Sequence, residues 1–375
     1  VTSSHSSNIL VVGAGIVGCA VAYELARRGA AVHVIDDRLP GMGATQASAG
    51  MLAPYTEAKD RNTLFLDLAV RSLELYDEFV ARVAGDAGVA IGYSRTGTIE
   101  IADTAERMTD LRDIARRLAG RGVALEVLDA PAARAQEPEL GHDVAGALLI
   151  GAHGYVNALA LAHALFQAAC CLGATFVDGG RVRRITRHGG DLQVETDNRT
   201  LNAQTVVVAA GSWSGQIEIE GAAALPVRPV RGQMLHLMWE SSPALRRVTW
   251  GERCYLVPWD DGTLLVGATM EEVGFDEKTT TAGVQDLLDA ACALVPHVRD
   301  AGFLGARVGL RPGTPDAMPI VGWSRSGANV MYATGHFRNG VLLAPLTAQL
   351  VADAILAGRV DPALEAIGPQ RFGEL

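Results

Sequence analysis

The stretch ILVVGAGIVGCAVAYELARRGAAVHVID, residues 9–36, restricts the fold more than any other part of the chain. Residues 9–12 form a continuous apolar run, short enough for a parallel strand buried on both faces. Gly13-Ala14-Gly15-Ile16-Val17-Gly18 follows directly, and a helical pattern through Val17, Ala20, Val21 and Leu25 runs to Gly29. Residues 31–35 read as a second strand ending at Asp36, 18 positions beyond Gly18. Gly13 permits the tight turn, Gly15 lets a pyrophosphate approach the backbone, and Gly18 lets helix and strand pack closely. The helix N-terminus offers N–H groups and the positive end of a dipole. Asp36, with Asp37 beside it, is placed to accept hydrogen bonds from a ribose. A glycine pattern alone is a weak signal, but here the strand, the helix and the acid all stand at the right spacing. The stretch predicts a dinucleotide site; it does not say which dinucleotide.

The rest of the composition narrows the function classes. With 375 residues, the chain is long enough for two domains. Its 49% hydrophobic and 20% charged residues suit a globular protein with a sizeable core. A net charge of −10 without a basic tract argues against nucleic acid as a partner. No apolar run approaches the ~20 residues of a membrane span. Residues 1–8, VTSSHSSN, have neither a basic region nor an apolar core and read as a tail rather than a signal peptide. Five cysteines, an odd count without metal or redox spacing, argue against a disulfide framework. A cytoplasmic enzyme is expected, with no metal site.

Past Asp36 the small-residue string of positions 41–52 can form neither a stable strand nor a long helix unless something flat, such as a cofactor, packs on its backbone. One helix is expected at about 62–83, a hairpin-like region at 93–101, a helix at 104–120, a strand in VALEVLD, and irregular chain over 130–150 carrying a strand near 145–150. A helix over 157–171, a meander in 181–203 and a buried strand in 205–213 return the chain to the first domain. Residues 225–310 are strand-rich, with a helix at about 281–294. A closing strand at 330–333, the turn GHFRNG and a helix over 341–356 repeat the strand–turn–helix plan of the N-terminus. The fold class is α/β: an FAD-type Rossmann-like domain from segments 1–82, 151–224 and 311–375, with a strand-rich α+β substrate domain from 83–150 and 225–310. Leaving and re-entering the nucleotide domain in this way is typical of flavin folds.

Taken in order, the motifs resemble those of the FAD-dependent amine oxidases of the D-amino acid oxidase superfamily, and within it the glycine oxidases. They are GAGIVG at 13–18, SAGML at 48–52, VVAAGSW at 207–213, PVRPVRGQM at 226–234, CYLVP at 254–258, GATM at 267–270, GLRPGTPDAMPIVG at 309–322 and GHFRNGVLLAP at 335–345. The last two are the most specific, and the set spans almost the whole chain.

The resemblance implies oxidative deamination of glycine, sarcosine or small D-amino acids. Glyoxylate or a 2-oxo acid, ammonia or an amine, and hydrogen peroxide would be the products, with molecular oxygen as acceptor and a place in thiamine biosynthesis. It implies Arg311 as the carboxylate anchor, a role its planar fork suits, and Tyr255 as a second hydrogen-bond donor to that carboxylate. Arg338 would reach the substrate cavity or pin the turn beneath the flavin. Met51 and Met270 match cavity-lining positions; Arg253 stands where a histidine is expected, and Asn157 where an aspartate is common. FAD would be held by Gly13, Gly15, Ile16, Val17, Gly18, Asp36, Asp37, Thr45, Ser48, Ala49, Gly50, Met51, Val182, Ala210, Gly211 and Trp213. Arg311, His336, Arg338, Asn339, Gly340, Val341 and Leu342 complete that set, with His336 structural rather than a base. Some sarcosine oxidases tether FAD through a cysteine before their TPD sequence; that position is Gly309 here, so FAD is expected to be non-covalent. A homo-oligomer, such as the family's common homotetramer, is expected. Two other readings stay open: a dehydrogenase passing electrons to a quinone or protein, and an FAD-binding module without turnover.

Overall fold

The computed structural model describes residues 8–57, 63–239 and 244–375. A six-stranded sheet, in the order Ile320–Trp323, Val330–Thr334, Thr205–Val208, Asn8–Val12, Ala31–Asp36, Thr175–Asp178, is parallel except for its first strand. Both faces are covered, so successive residues of one strand serve different cores. Ile9, Val11, Val207 and Met331 pack on the helices Ile16–Arg27, Ala158–Cys171 and Gly340–Leu356. Leu10, Val12, Val206 and Val208 pack on a four-stranded sheet that contains Val182–His188 and Asp191–Thr196. This explains the unbroken apolar runs. The chain leaves Asn8–Val12 toward Ala31–Asp36 on one side, and Thr205–Val208 lies on the other. The strand order thus reverses beside residue 12, where a ligand crevice is expected in such sheets.

A second, eight-stranded sheet runs Gly302–Gly313, Arg228–Met238, Thr263–Gly267, Tyr255–Pro258, Val248–Trp250, Thr98–Ala102, Gly146–Ile150, Glu126–Asp129. Leu235, Leu256 and Val266 pack against the helix Thr281–Leu294. Period-two alternation then turns Met234, Tyr255, Val257 and Leu265 to the opposite face, where they meet Ala49, Met51 and Tyr155. The Gly302–Gly313 strand and the Tyr76–Ala87 helix run continuously past positions 310/311 and 82/83.

Several elements differ from the sequence expectation. The single helix of 62–83 is two helices, Thr63–Glu74 and Tyr76–Ala87, separated by Leu75; residue 62 lies outside the described residues. Residues 93–101 are no hairpin: Tyr93–Ser94 pairs with Tyr155 and Val156, whereas Thr98–Ala102 joins the large sheet. The irregular stretch holds a helix, Ala130–Gln136, whose first turn contains a proline and whose Ala132 N–H is capped by Asp129 at 2.9 Å. The strand with a closing glycine turn expected in 205–213 is present, as Thr205–Val208 followed by the 3-10 turn Gly211–Gln216. Among the described residues no helix is long and apolar enough to cross a membrane, and no group of three or more His, Cys, Asp or Glu is arranged to hold a metal.

Candidate active site

One cavity of about 410 Å³ lies between the two large sheets. Its first end is the glycine-rich turn. Gly13 has φ +108°, and a Cβ there would fall 2.4 Å from the Ala209 carbonyl oxygen; a Cβ on Gly18 would fall 1.9 Å from the Gly13 oxygen. Protein packing alone requires glycine at both positions. Gly15 is different: a Cβ would meet only Thr45 Oγ1, at 3.7 Å. Its missing side chain leaves space in the cavity wall, which fits close approach by a ligand. Asp36 Oδ2 accepts from the Ala14 N–H at 2.6 Å, and Oδ1 from the Arg38 N–H at 2.9 Å. Burial raises its pKa, these two bonds oppose the shift, and the net direction is upward.

The N-terminus of the Gly340–Leu356 helix also opens on the cavity. Neither its N-cap residue Asn339 nor Gly15, which precedes Ile16–Arg27, caps its helix with a side chain, and neither first turn holds an acidic residue. Thr45 Oγ1 accepts from the Ile16 N–H at 3.1 Å. Both ends suit negative charge. Pro345 lies inside the second helix and removes the N–H that would bond Val341 O. The Tyr76 hydroxyl donates to that carbonyl instead, and Ser72 Oγ donates to Leu342 O at 2.6 Å. The helix therefore keeps its first turn despite the proline. His336, buried and hydrogen-bonded to Thr347 Oγ1 at 3.0 Å, is pushed down to about 4 by burial.

The other end is made by strand register. Arg311 pairs opposite Val230, and both Met234 and Tyr255 pair opposite Gly267. Arg311 Nη1 donates to Thr269 O at 2.9 Å and to Arg231 O at 3.2 Å. A Cβ on Gly232 would sit 2.3 Å from the Arg311 guanidinium, and one on Gly267 2.4 Å from the Tyr255 hydroxyl. Both functional groups thus lie against glycine backbone that leaves them room. The Tyr255 ring packs 5.6 Å from Trp250, its cross-strand partner. Phe337 N–H donates to Pro312 O at 3.0 Å, tying the 335–340 turn to the strand that carries Arg311.

Of the residues singled out in the sequence, Gly13, Gly15, Ile16, Val17, Asp36, Asp37, Thr45, Ser48, Ala49, Gly50, Met51, Val182, Ala210, Gly211, Trp213, Tyr255, Met270, Arg311, His336, Arg338, Asn339, Gly340 and Val341 line this one cavity. Three do not. Gly18 lies behind the wall against Gly13. Leu342 faces the helical core with its carbonyl taken by Ser72. Arg253 is exposed in the turn closed by Gly251 N–H to Cys254 O at 2.8 Å, and its neighbour Glu252 lines the cavity in its place. Sequence reading missed Arg38, Arg181, Gln216, Trp250, Glu252 and Thr269 as lining residues. Arg38 forks onto Glu277 at 2.9 and 2.7 Å and lies 4.4 Å over the Trp213 ring. Its position two residues past Asp36 was the one available signal.

Comparison with known proteins agrees with this geometry. The family model described as DAO, FAD dependent oxidoreductase, matches residues 8–354. A glycine oxidase of Geobacillus kaustophilus is 33% identical over 354 residues, covering 94% of this chain and 93% of that protein. The crystal structure of glycine oxidase from the same organism superposes with a TM-score of 0.91 at 32% identity, over 97% of this chain and 99% of the other. The bifunctional protein ThiO/ThiG of Synechocystis sp. is 36% identical over 98% of this chain, which spans about half, 54%, of that relative's length.

Proposed function

The chain belongs to the DAO family of FAD-dependent oxidoreductases, and from that premise we propose that it oxidises glycine or a small N-substituted glycine such as sarcosine, and small D-amino acids. The products are glyoxylate or a 2-oxo acid, ammonia or an amine, and hydrogen peroxide from molecular oxygen. The observation that carries this reading is the convergence of Arg311 and Tyr255 on the short segment 267–269 at one end of the cavity. The other end is the glycine-rich cradle.

Bound FAD supplies the two-electron acceptor for the substrate Cα–H. The turn of residues 13–17 would hold the pyrophosphate, Asp36 the ribose, and the N-terminus of Gly340–Leu356 the isoalloxazine end. A Cβ on Gly309 would lie 3.0 Å from Ala47 Cβ and 3.1 Å from the Ala44 backbone. A side chain there would need these neighbours to shift, and glycine offers no thiol, which supports non-covalent FAD. Arg311 holds the substrate carboxylate bidentately and so fixes Cα; the Tyr255 hydroxyl donates to the same carboxylate. Met51, Met270 and Trp250 limit the side chain that fits. His336 is neutral near pH 7 and is engaged with Thr347, so it serves as structure; the amine binds in its neutral form and needs no base. The likeness to ThiO/ThiG supports a place in thiamine biosynthesis.

The test is anaerobic titration of the FAD-loaded protein with glycine, sarcosine and D-alanine, followed by air. Bleaching of the visible flavin band by glycine or sarcosine, rapid recovery in air and peroxide formation are expected. Slow recovery would replace oxygen by a quinone or protein acceptor. A spectrum indifferent to all three would reject the substrate assignment and leave an FAD-binding module.

A further inference from the structure

The guanidinium of Arg311 is aimed by two backbone carbonyls, those of Arg231 and Thr269. The first lies within the Arg228–Met238 strand, but Thr269 belongs to no strand, because Thr263–Gly267 has already ended at residue 267. What ties Thr269 to the Arg228–Met238 strand is a polar cluster behind the cavity wall. Arg231 and Glu271 exchange both backbone hydrogen bonds, at 2.8 and 3.0 Å. The Glu271 carboxylate accepts from Arg231 Nη2 at 2.6 Å, from Thr269 Oγ1 at 2.6 Å and from Gln233 Nε2 at 2.8 Å. Gln233 is fully buried; its N–H donates to Thr269 Oγ1 at 2.9 Å and its Oε1 accepts from the Thr280 N–H at 2.8 Å. Three groups, Arg231, Gln233 and Thr269, thus meet at the one carboxylate of Glu271. Burial would raise the pKa of that carboxyl, but the bonds from Arg231, Gln233 and Thr269 prevail and lower it to about 2, so it stays ionised.

We propose that Glu271 is a positioning residue for substrate binding: it holds the Thr269 carbonyl against the strand that carries the Arg231 carbonyl, and through the two it fixes the fork of Arg311. The proposal rests on the reading of Arg311 as carboxylate anchor. A charge-assisted cluster is suited to this task, because an anchor displaced by a fraction of an ångström still binds FAD but no longer holds the carboxylate in register. Arg231 also pairs with Asp276 at 3.0 Å, so loss of the Glu271 charge does not leave a buried guanidinium unpaired.

The experiment compares Glu271→Gln, Thr269→Val and Arg311→Lys with the parent as FAD-loaded proteins. It reads KM and kcat for glycine, the dissociation constant of acetate from the flavin visible spectrum, and thermal stability. Glu271→Gln is expected to raise KM and the acetate constant together by about tenfold while kcat changes less than about threefold. Thr269→Val should shift both in the same direction by a smaller factor, and it carries the test if Glu271→Gln does not fold. A lowered melting temperature with unchanged KM and acetate affinity would make the cluster purely structural and overturn the proposal. If Arg311→Lys raises KM strongly and Glu271→Gln leaves it unchanged, the positioning role alone fails. If Arg311→Lys leaves KM unchanged, the anchor reading fails and the positioning role with it.

Discussion

At the nucleotide end of the cavity the glycine cradle is backbone from one contiguous stretch; at the substrate end the wall is side chains delivered by strands far apart in sequence. The cradle needs only a strand, a turn and a helix, although Gly13 also packs on the distant Ala209. Its specificity lies in what is missing, a Cβ at residues 13, 15 and 18. The second end needs Arg311 brought opposite Val230 and Tyr255 brought opposite Gly267, and then an ionic cluster to hold the backbone between them. A one-residue slip in register would turn Tyr255 away from the cavity, whereas the cradle has no register to lose. Binding a phosphate tolerates a generic site. Orienting a Cα–H requires a built one.

The contrast is broken most severely at Gly18. A Cβ 1.9 Å from the Gly13 oxygen has nowhere to move, because the opposing atom is backbone. Gly18→Ala is expected to cost on the order of 3 kcal/mol of stability and to abolish FAD retention. Gly15→Ala separates the two demands, since its Cβ meets no protein atom closer than 3.7 Å. Its apoprotein should unfold within about 1 kcal/mol of the parent, yet bind FAD at least about a hundredfold more weakly. Chemical denaturation of both apoproteins, with FAD titration, checks the pair. Equal loss of stability in the two variants would deny Gly15 its role in making room for a ligand.

Acid should separate the ends as well. His336 has a folded pKa of about 4 against an ordinary 6.5, and buried His153 one of about 3, both because burial disfavours the charged ring. A group depressed in this way contributes its full stability above pH 6.5 and loses it as pH falls toward the folded value. Between pH 7.5 and 5, His336 alone should cost on the order of 2 kcal/mol. Glu271 is lowered to about 2 from 4.5, so its contribution is intact above pH 4.5 and lost only between there and pH 2. The melting temperature should therefore fall first through the histidines while the substrate-end cluster is still ionised. His336→Gln should flatten the slope between pH 6.5 and 4, and an unchanged slope would assign it to His153 and the rest of the chain.

How much of this was legible follows the same division. The turn at residues 13–18 and Asp36 could be read from spacing because their geometry is local. Arg311 and Tyr255 came from family likeness, since nothing in the 55 intervening positions of sequence states that two strands will bring both to residues 267–269. Arg253 was misplaced because the residue two before Tyr255 falls in a turn rather than on the strand, and the turn brings Glu252 to the cavity instead. Leu342 was misplaced because two steps along a helix rotate a residue most of the way to the opposite face. The helix at Ala130–Gln136 had its signals, an aspartate cap and a proline in the first turn, but it is too short for a clear apolar period. Arg38 gave little notice, because its partner Glu277 lies 239 positions away.

That last pair spans the two ends, and it should have the mildest effect of all. The segment after Thr269 returns across the cavity mouth, where Phe275 lies 5.9 Å from Trp213 and Glu277 grips Arg38. Both charged side chains are about 30% exposed, 28% and 32%, so their ion pair is worth at most about 1 kcal/mol and is weakened by salt. Arg38 also covers the Trp213 ring, a contact of similar size. Arg38→Met should loosen FAD by about fivefold at low ionic strength, and Glu277→Gln by less; both differences should shrink as salt rises. Substrate KM should hold, because the Glu271 cluster is anchored to Arg231 and Gln233 rather than to the nucleotide domain. A KM for glycine that rises in step with the FAD dissociation constant would instead mean that the segment couples the two ends, and the division between a generic cradle and a built anchor would have to be redrawn as one site.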